Sequence, residues 1–170
     1  IYILVDALIS LGARIEYLGK VGYPPLKIRG TALDGGDIYL SGDVSSQFIS
    51  ALLMIAPTMR KGLTIHLEGN VISVPSIKLT LGMMAQYGVK THWDGNIIKI
   101  HPEEYRPTSN YVVESDWSAA SYWYEMVALA EDARVELKGL FRSSMQGDSK
   151  VSELFLDLGV ATEFTDEGVI

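Results

Sequence analysis

The spacing of apolar and polar positions divides the chain into helical stripes and short alternating strands. Each of three segments contains an amphipathic helix that ends at a glycine and is followed by a strand: Leu4–Tyr17, Leu79–Trp93 and Val151–Phe164. The glycines are Gly12, Gly88 and Gly159. A glycine directly after a helix commonly adopts the left-handed conformation that ends it. We therefore predict a positive φ at all three positions.

A second pattern is interleaved with the first. Asp43-Val-Ser-Ser-Gln leads into FISALLMIA, and Asp116-Trp-Ser-Ala-Ala leads into SYWYEMVALA. Internal repetition of this kind indicates a repeat-built architecture. The helices predicted at 46–56 and 119–130 are apolar around their circumference, so we expect each to be enclosed. Those predicted at 77–87 and 149–158 carry one apolar stripe, so we expect them to cover a sheet.

The repeating unit reads strand, helix, strand, helix, strand, strand. We therefore predict an α/β (α+β) fold made of βαβαββ units, with about two units present. Asp94-Gly95-Asn96 lies between two alternating runs and predicts a hairpin turn. The polar segment 101–110 contains two prolines and predicts a loop. With a linker at roughly 110–117, the predicted domains are residues 1–114 and 115–170.

Composition narrows the function classes. The chain has 170 residues with a formal net charge of -7, which argues against general nucleic-acid binding. It has no cysteine, so a reducing cytoplasm is the expected compartment. No apolar run is long enough for a membrane span, so no membrane partner is predicted. The chain starts within a helical pattern without an initiating Met, and we expect it to be a piece of a longer protein.

The junction SGDVSSQF holds the main candidate binding residues. Ser45, Ser46 and Gln47 stand at the start of an apolar helix and carry no charge. The first N–H groups of a helix lack internal partners and attract anions, so these side chains could help to hold a phosphate or carboxylate. Serine is also a common N-cap, and capping alone explains the same residues. Both interpretations stay open at this point.

Two further junctions resemble the first. In NVISVPSIKL, Ser73 precedes a proline that starts the next helix, and it is either an ordinary helix start or a second uncharged donor. In FRSSMQGDSK, Asp148 is the predicted N-cap, and Arg142 could serve a substrate or a neighbouring carboxylate. No metal-ligand motif and no glycine-rich phosphate loop is present, so no metal site is predicted.

The order and spacing of these junctions resemble the 5-enolpyruvylshikimate-3-phosphate (EPSP) synthase family. The matching stretches are SGDVSSQFISALLM, a Ser-x-Pro helix start, VESDWSAASY and RSSMQGD. The resemblance implies a fold of two lobes, each built of three βαβαββ repeats. Residues 1–114 would be the latter part of the N-terminal lobe, and 115–170 the first repeat of the C-terminal lobe.

The resemblance also implies a function in the shikimate pathway, which leads to chorismate and the aromatic amino acids. The family transfers the enolpyruvyl group of phosphoenolpyruvate to shikimate 3-phosphate and releases phosphate, as a monomer and without metal or organic cofactor. Ser45, Ser46 and Ser73 match family serines that hold shikimate 3-phosphate, and Gln47 matches a glutamine beside both substrates. The family often has tyrosine and a basic residue where this chain has Ser76 and Val74.

The family's catalytic acid and base have no counterpart in these 170 residues, so the resemblance implies no catalytic residue here. The piece alone is expected to be inactive. Glu114 and Asp116 fall where the chain crosses between lobes, and a hinge role is expected for them. Three alternatives remain open: the related transferase that uses UDP-N-acetylglucosamine, an RNA 3′-phosphate cyclase, and a repeat-built binding module without chemistry.

Overall fold

The computed structural model describes residues 1–107 and 110–170. Thr108 and Ser109, which belong to the predicted loop at 101–110, lie outside the described residues. The chain divides into two compact units, Ile1–Thr108 and Ser109–Ile170. This division falls earlier in the chain than the 114/115 boundary that the sequence predicts. It leaves Glu114 and Asp116 in the second unit.

The first unit contains three α-helices, one 3₁₀ turn (Ala56–Thr58) and six strands among its described residues. In chain order the α-helices and strands are α1 (Tyr2–Ser10), β1 (Arg14–Tyr17), β2 (Leu26–Arg29), β3 (Gly36–Ser41), α2 (Ser46–Ile55), β4 (Leu63–Glu68), α3 (Val74–Gln86), β5 (Thr91–Asp94) and β6 (Ile97–Ile100). β3 and β4 pair in parallel, and β6 pairs antiparallel with both β4 and β5. From β3 to β6 the elements follow the predicted order βαβαββ.

Alternating residues of this sheet supply the core of the first unit. Ile38 of β3 and Ile65 of β4 lie opposite each other and are buried, whereas the intervening positions of β3 are exposed. Ile77, Leu81 and Met84 form the buried stripe of α3, at the i, i+4, i+7 spacing of one helix face. The predicted sheet-covering helix is therefore confirmed at this position, and it begins three residues earlier than predicted.

The glycines that the sequence places at helix ends and in the hairpin turn have the predicted backbone conformation. Gly12, Gly88 and Gly159 have φ values of 103°, 85° and 86°. Gly95, with a φ of 53°, lies in the turn between β5 and β6. These predictions are confirmed, because a positive φ is accessible to glycine without a side-chain clash.

The second unit holds α4 (Trp117–Leu129), β7 (Leu137–Lys138), α5 (Val151–Leu154) and β8 (Gly168–Val169). A 3₁₀ turn, Gly147–Lys150, leads into α5, and another, Phe155–Leu158, follows it. Trp117 is fully buried at the start of α4, and β7 pairs antiparallel with β8. The predicted helix at 149–158 is thus a short α-helix flanked by 3₁₀ turns.

The prediction that both apolar helices are enclosed is wrong for α4. α2 buries Ile49, Leu52 and Leu53 completely, and the exposed Met54 shows that it too is not apolar-enclosed on every side. α4 buries one face, but its opposite face is exposed and carries Tyr122, Trp123, Met126 and Leu129. The described residues of the second unit supply packing partners for one side of this helix only.

Candidate functional site

The candidate site lies at one edge of the parallel pair β3 and β4. Ser41 ends β3 beside Glu68, which ends β4. The segments that follow these strands lead into α2 and α3, so two helix N-termini start from the same sheet edge. Ligands of parallel sheets commonly bind at the carboxyl ends of strands, where such helices begin. The fold therefore brings the junctions of Ser45 and Ser73 onto neighbouring loops.

Gly42 holds these two loops together. Its N–H donates to the Glu68 carbonyl at 2.7 Å, and its carbonyl accepts from the Ile72 N–H at 3.2 Å. A Cβ at position 42 would lie 2.7 Å from the carbonyl oxygen of Asn70 and 3.1 Å from the Cα of Val71. Only a residue without a side chain permits this approach, because the atoms it meets are backbone.

The start of α2 lacks the cap that its sequence suggests. Ser45 occupies the N-cap position, with φ -52° and ψ 125°, but its side chain makes no capping hydrogen bond. Ser45 and Gln47 are exposed, and Ser46 is half-buried at the first helical position. Within the described part of the chain, these three side chains have no hydrogen-bond partner. The simple capping interpretation is therefore wrong for Ser45.

Ser73 repeats this arrangement at α3. It is the N-cap residue, is half-buried, and makes no side-chain capping hydrogen bond. The two helices are tied together one turn further on, where the hydroxyls of Ser50 and Thr80 lie 2.7 Å apart. Both helix starts therefore carry serine hydroxyls that are not used by their own helices.

The loops around these hydroxyls carry no cationic side chain. The segments 42–47 and 69–76 contain no lysine or arginine. Asp43, which lies two residues before the N-cap residue Ser45, accepts a hydrogen bond from the Ser41 hydroxyl. An anion at this edge would therefore be held by neutral donors and by the partial positive charge of the helix ends. Its neutralising cations would have to come from other segments.

The corresponding helix start in the second unit is closed by its own residues. The Asp116 carboxylate accepts from the N–H groups of Ser118 and Ala119, at 2.8 and 3.3 Å. The Trp117 N–H donates to Oε1 of Gln146 at 2.9 Å. The Ser118 hydroxyl donates to Asp148. Asp148 lies within a 3₁₀ turn whose N-cap is Gln146, so the prediction of Asp148 as N-cap is wrong.

Glu114 organises this closed start. Its carboxylate accepts four hydrogen bonds, from Trp117 Nε1 (2.9 Å), the Phe141 N–H (3.2 Å), the Ser144 hydroxyl (2.7 Å) and Gln146 Nε2 (3.0 Å). Burial raises the pKa of this carboxyl, but the hydrogen bonds outweigh burial and leave the pKa below its ordinary value. Glu114 thus fastens the start of the second unit to the 141–146 loop, and the expected hinge role stays a prediction.

Arg142 lies on that loop and is exposed. Its guanidinium stands 4.3 Å from the centre of the Phe164 ring, a cation–π contact. Neither interpretation offered by the sequence, a substrate or a neighbouring carboxylate, describes this contact. Among the described residues it makes no ion pair.

Sequence reasoning missed Gly42 and the acceptor role of Glu114. Gly42 lies in the junction SGDVSSQF, and a glycine directly after a buried strand signals a close approach of another backbone. Glu114 carried no comparable signal, because its partners lie up to 32 residues away in sequence.

Residues 1–107 and 110–170 contain no group of three or more His, Cys, Asp or Glu side chains that could hold a metal ion. In the same residues, no helix has the length and apolar character needed to cross a membrane.

Comparisons with known proteins agree along the whole chain. The family model described as EPSP synthase (3-phosphoshikimate 1-carboxyvinyltransferase) matches residues 1–170. A 3-phosphoshikimate 1-carboxyvinyltransferase of Bacteroides fragilis (strain ATCC 25285) is 52% identical over 171 residues, which cover 99% of this chain and 41% of the relative. One from Shewanella sp. (strain MR-7) is 40% identical, covering 98% of this chain and 39% of the relative.

Solved structures share the fold. A structure of EPSP synthase from Acinetobacter baumannii aligns with a TM-score of 0.72 at 22% identity, over 94% of this chain and 34% of that one. The chain spans about two fifths of the length of the curated relatives it matches. The match of the family model to every residue, together with the fold, shows that this chain belongs to the EPSP synthase family.

Proposed function

We propose that the full-length protein transfers the enolpyruvyl group of phosphoenolpyruvate to shikimate 3-phosphate and releases phosphate. The observation that carries this proposal is the match to the EPSP synthase family along residues 1–170, with 52% identity to a relative named for that reaction. In this reaction a substrate hydroxyl loses its proton and forms a C–O bond to phosphoenolpyruvate. The terminal vinyl carbon gains a proton and becomes a methyl group in a tetrahedral addition product. Phosphate then leaves while that methyl carbon loses a proton, which restores the enolpyruvyl double bond.

We propose that Ser45, Ser46 and Ser73 hold the phosphate of shikimate 3-phosphate, with the amide of Gln47 beside it. Their hydroxyls support this role because neither N-cap serine is used by its own helix. The N-termini of α2 and α3 add partial positive charge at the same sheet edge. Neutral donors are directional, so they can orient the hydroxylated ring of the substrate while other segments supply the charge.

We assign no catalytic residue to these 170 residues and expect the isolated chain to be inactive. The described part of the candidate site offers hydroxyls, an amide and backbone N–H groups. None of these titrates near neutral pH, whereas the reaction needs a proton donor and a proton acceptor. Phosphate release by the purified chain at a rate near that of a normal enzyme would contradict this assignment.

The two units fit a division of labour between lobes. We propose that the first unit, Ile1–Thr108, belongs to the latter part of the N-terminal, substrate-binding lobe, and that the second unit, Ser109–Ile170, belongs to the first repeat of the C-terminal lobe. This proposal keeps the two predicted lobes and moves the predicted 114/115 boundary to the division that the structure has. We also propose a cytoplasmic, monomeric enzyme that binds neither nucleic acid nor membrane, and the net charge of -7 supports the exclusion of nucleic acid. Gel filtration of the full-length protein with light scattering tests the monomer.

The experiment that tests the binding role is titration of shikimate 3-phosphate into the full-length protein and its Ser46→Ala variant. Loss of one hydrogen bond to a charged group costs about 1.5–3 kcal/mol, which weakens binding roughly tenfold to hundredfold. Ser118→Ala is the control, because Ser118 is a serine at the corresponding helix start of the second unit, where its hydroxyl donates to Asp148. We expect its affinity to equal that of the unmodified protein.

Two results would contradict the proposal. One is a Ser46→Ala variant that is less stable but binds shikimate 3-phosphate as before, since a structural helix-start residue would behave that way. The other is binding of UDP-N-acetylglucosamine in place of shikimate 3-phosphate, which would assign to the protein the activity of the related transferase.

A further inference from the structure

The hairpin turn between β5 and β6 is fastened to the loop that leads to Ser73. Nδ2 of Asn96 donates to the Gly69 carbonyl at 3.0 Å, and the Leu67 N–H donates to the Asn96 carbonyl at 2.8 Å. A carbonyl oxygen only accepts, so the nitrogen of the side-chain amide faces Gly69. Asparagine in a turn commonly bonds to its own backbone. This side chain instead holds a residue 27 positions earlier in the chain.

The turn that carries Asn96 is itself attached to the core of the first unit. Nε1 of Trp93 donates to the Gly95 carbonyl at 2.9 Å. The Trp93 side chain is half-buried and packs against the buried residues of this core. β6, which begins directly after Asn96, is paired with β4 on one side and β5 on the other. The Asn96 amide therefore extends from a well-supported element towards the neighbouring loop.

Hydrogen bonds hold the loop segment 69–72 at two points among the described residues. At its start, the Gly69 carbonyl accepts from Asn96. At its end, the Ile72 N–H donates to the Gly42 carbonyl at 3.2 Å. The Ile72 side chain is 70% exposed, so burial contributes little at this end. Because Ser73 is the next residue, the position of its hydroxyl depends on both hydrogen bonds.

We propose that Asn96 is a positioning residue for the binding of shikimate 3-phosphate. It acts through Gly69 and keeps the loop in the place from which the Ser73 hydroxyl reaches the substrate phosphate. This inference rests on the function proposed above, in which Ser73 holds that phosphate. Asn96 contacts the loop and not the substrate, so it is not a catalytic residue.

The kinetic consequence follows from where the phosphate stands in the reaction. The phosphate on the shikimate ring stays in place while the enolpyruvyl group is transferred to a hydroxyl of that ring. A group that holds this phosphate therefore stabilises the bound substrate and the transition state about equally. Loss of the Asn96 hydrogen bond should raise the KM for shikimate 3-phosphate and leave kcat unchanged.

Steady-state kinetics of the full-length protein and its Asn96→Ala variant test the proposal. Loss of one neutral hydrogen bond should raise the KM for shikimate 3-phosphate roughly threefold to tenfold. The kcat and the KM for phosphoenolpyruvate should stay within about twofold of the unmodified values. Asp94→Ala is the matched control, because Asp94 is an exposed residue of the same hairpin whose side chain makes no hydrogen bond or ion pair within the described residues. We expect its KM to equal that of the unmodified protein.

A double-mutant cycle shows whether the effect passes through Ser73. Residues that act through one another have effects that do not add. In the Ser73→Ala background the hydroxyl that Asn96 positions is gone, so Asn96→Ala should raise the KM for shikimate 3-phosphate by less than about twofold. The same fold increase in both backgrounds would overturn the proposal.

Two further results would overturn the role of Asn96 in an active full-length protein. One is an Asn96→Ala variant that unfolds more easily in urea but keeps its KM for shikimate 3-phosphate, since an ordinary turn residue would behave that way. The other is an equal rise in KM for Asp94→Ala, since any change in the hairpin would then have the same effect. Failure of the proposed function is seen separately, because the unmodified protein would then not turn over shikimate 3-phosphate, and that result would overturn both proposals.

Discussion

The starts of α2 and α4 come from similar sequences and reach opposite states. In both, an aspartate is followed by a short segment with serine and then by an apolar helix. In α4 the helix begins directly after Asp116, so the carboxylate caps two N–H groups. In α2 the helix begins at Ser46, and Asp43 is left outside it. The position at which the helix begins relative to the aspartate therefore decides whether the first N–H groups of the helix are capped by the aspartate or left available to a ligand.

The difference also separates two uses of polar side chains. At α4, Asp116 and Gln146 accept hydrogen bonds from the N–H groups of the helix start, and Gln146 also donates to Glu114, so an anion would meet carboxylates there. At α2, the described residues leave the serine hydroxyls without partners. In the proposal made above, anion binding belongs to the first unit, and the repeated start in the second unit is structural. Four predictions test it, in order of decreasing expected effect.

The largest effect is expected from Glu114→Ala. The substitution removes one acceptor from four donors and leaves several of them partly buried without a partner, which should cost on the order of 3 kcal/mol. Urea unfolding followed by tryptophan fluorescence measures the loss, since Trp117 reports on the second unit. Affinity of the full-length protein for shikimate 3-phosphate should change much less than it does for Ser46→Ala. Unchanged stability would mean that the closed start does not depend on this carboxylate.

Gly42→Ala should have the next largest effect. The added Cβ meets backbone atoms at 2.7–3.1 Å, and relieving that overlap should cost about 1–3 kcal/mol. Because the two loops must separate, binding of shikimate 3-phosphate should weaken as well. Gly30→Ala is the matched control, since a Cβ there meets nothing within 4 Å. If both variants unfold at the same urea concentration, the two loops do not require the close approach at Gly42.

Asp116→Ala and Ser45→Ala compare the two helix starts directly. Loss of the Asp116 cap should lower the free energy of unfolding by about 1 kcal/mol. Ser45 makes no capping hydrogen bond, so its substitution should change stability by no more than a few tenths of a kcal/mol. Thermal unfolding of the two variants measures both values. Equal losses would show that Ser45 caps α2 after all and would remove the contrast.

The smallest effect is expected in the pH dependence of stability. The folded-state pKa of Glu114 lies below its ordinary value, so this carboxylate contributes stability above the unfolded-state pKa. That contribution is lost as the pH falls through the folded-state pKa. The difference in unfolding free energy between the unmodified protein and Glu114→Gln should therefore be constant near neutral pH and shrink in acid. Solvent screening keeps it modest. A difference that grows in acid would contradict the sign of the pKa shift.

Features that depend on residues close together in the sequence were predictable, and features that depend on distant residues were not. Glycine at the helix ends, the turn at Gly95 and the stripe of α3 follow from neighbours within about one or two turns of chain, and the structure confirms them. The positions of Ser45, Ser46 and Ser73 at helix starts were also predictable. It was not predictable whether the serines at these starts cap their own helices, because serine is a preferred N-cap residue and its presence does not report which way its hydroxyl turns.

The sequence by itself determined the repeat order, the glycine-ended helices and the placement of uncharged donors at two helix starts, because each depends on local periodicity and backbone conformation. Only the tertiary structure decided that Gly42 must lack a side chain and that Glu114 collects donors from 30 residues away. It also decided that α4 buries one face while α2 packs into the core. The physical reason is that hydrogen bonds and burial depend on which distant segments meet, and periodicity along the chain does not specify those meetings.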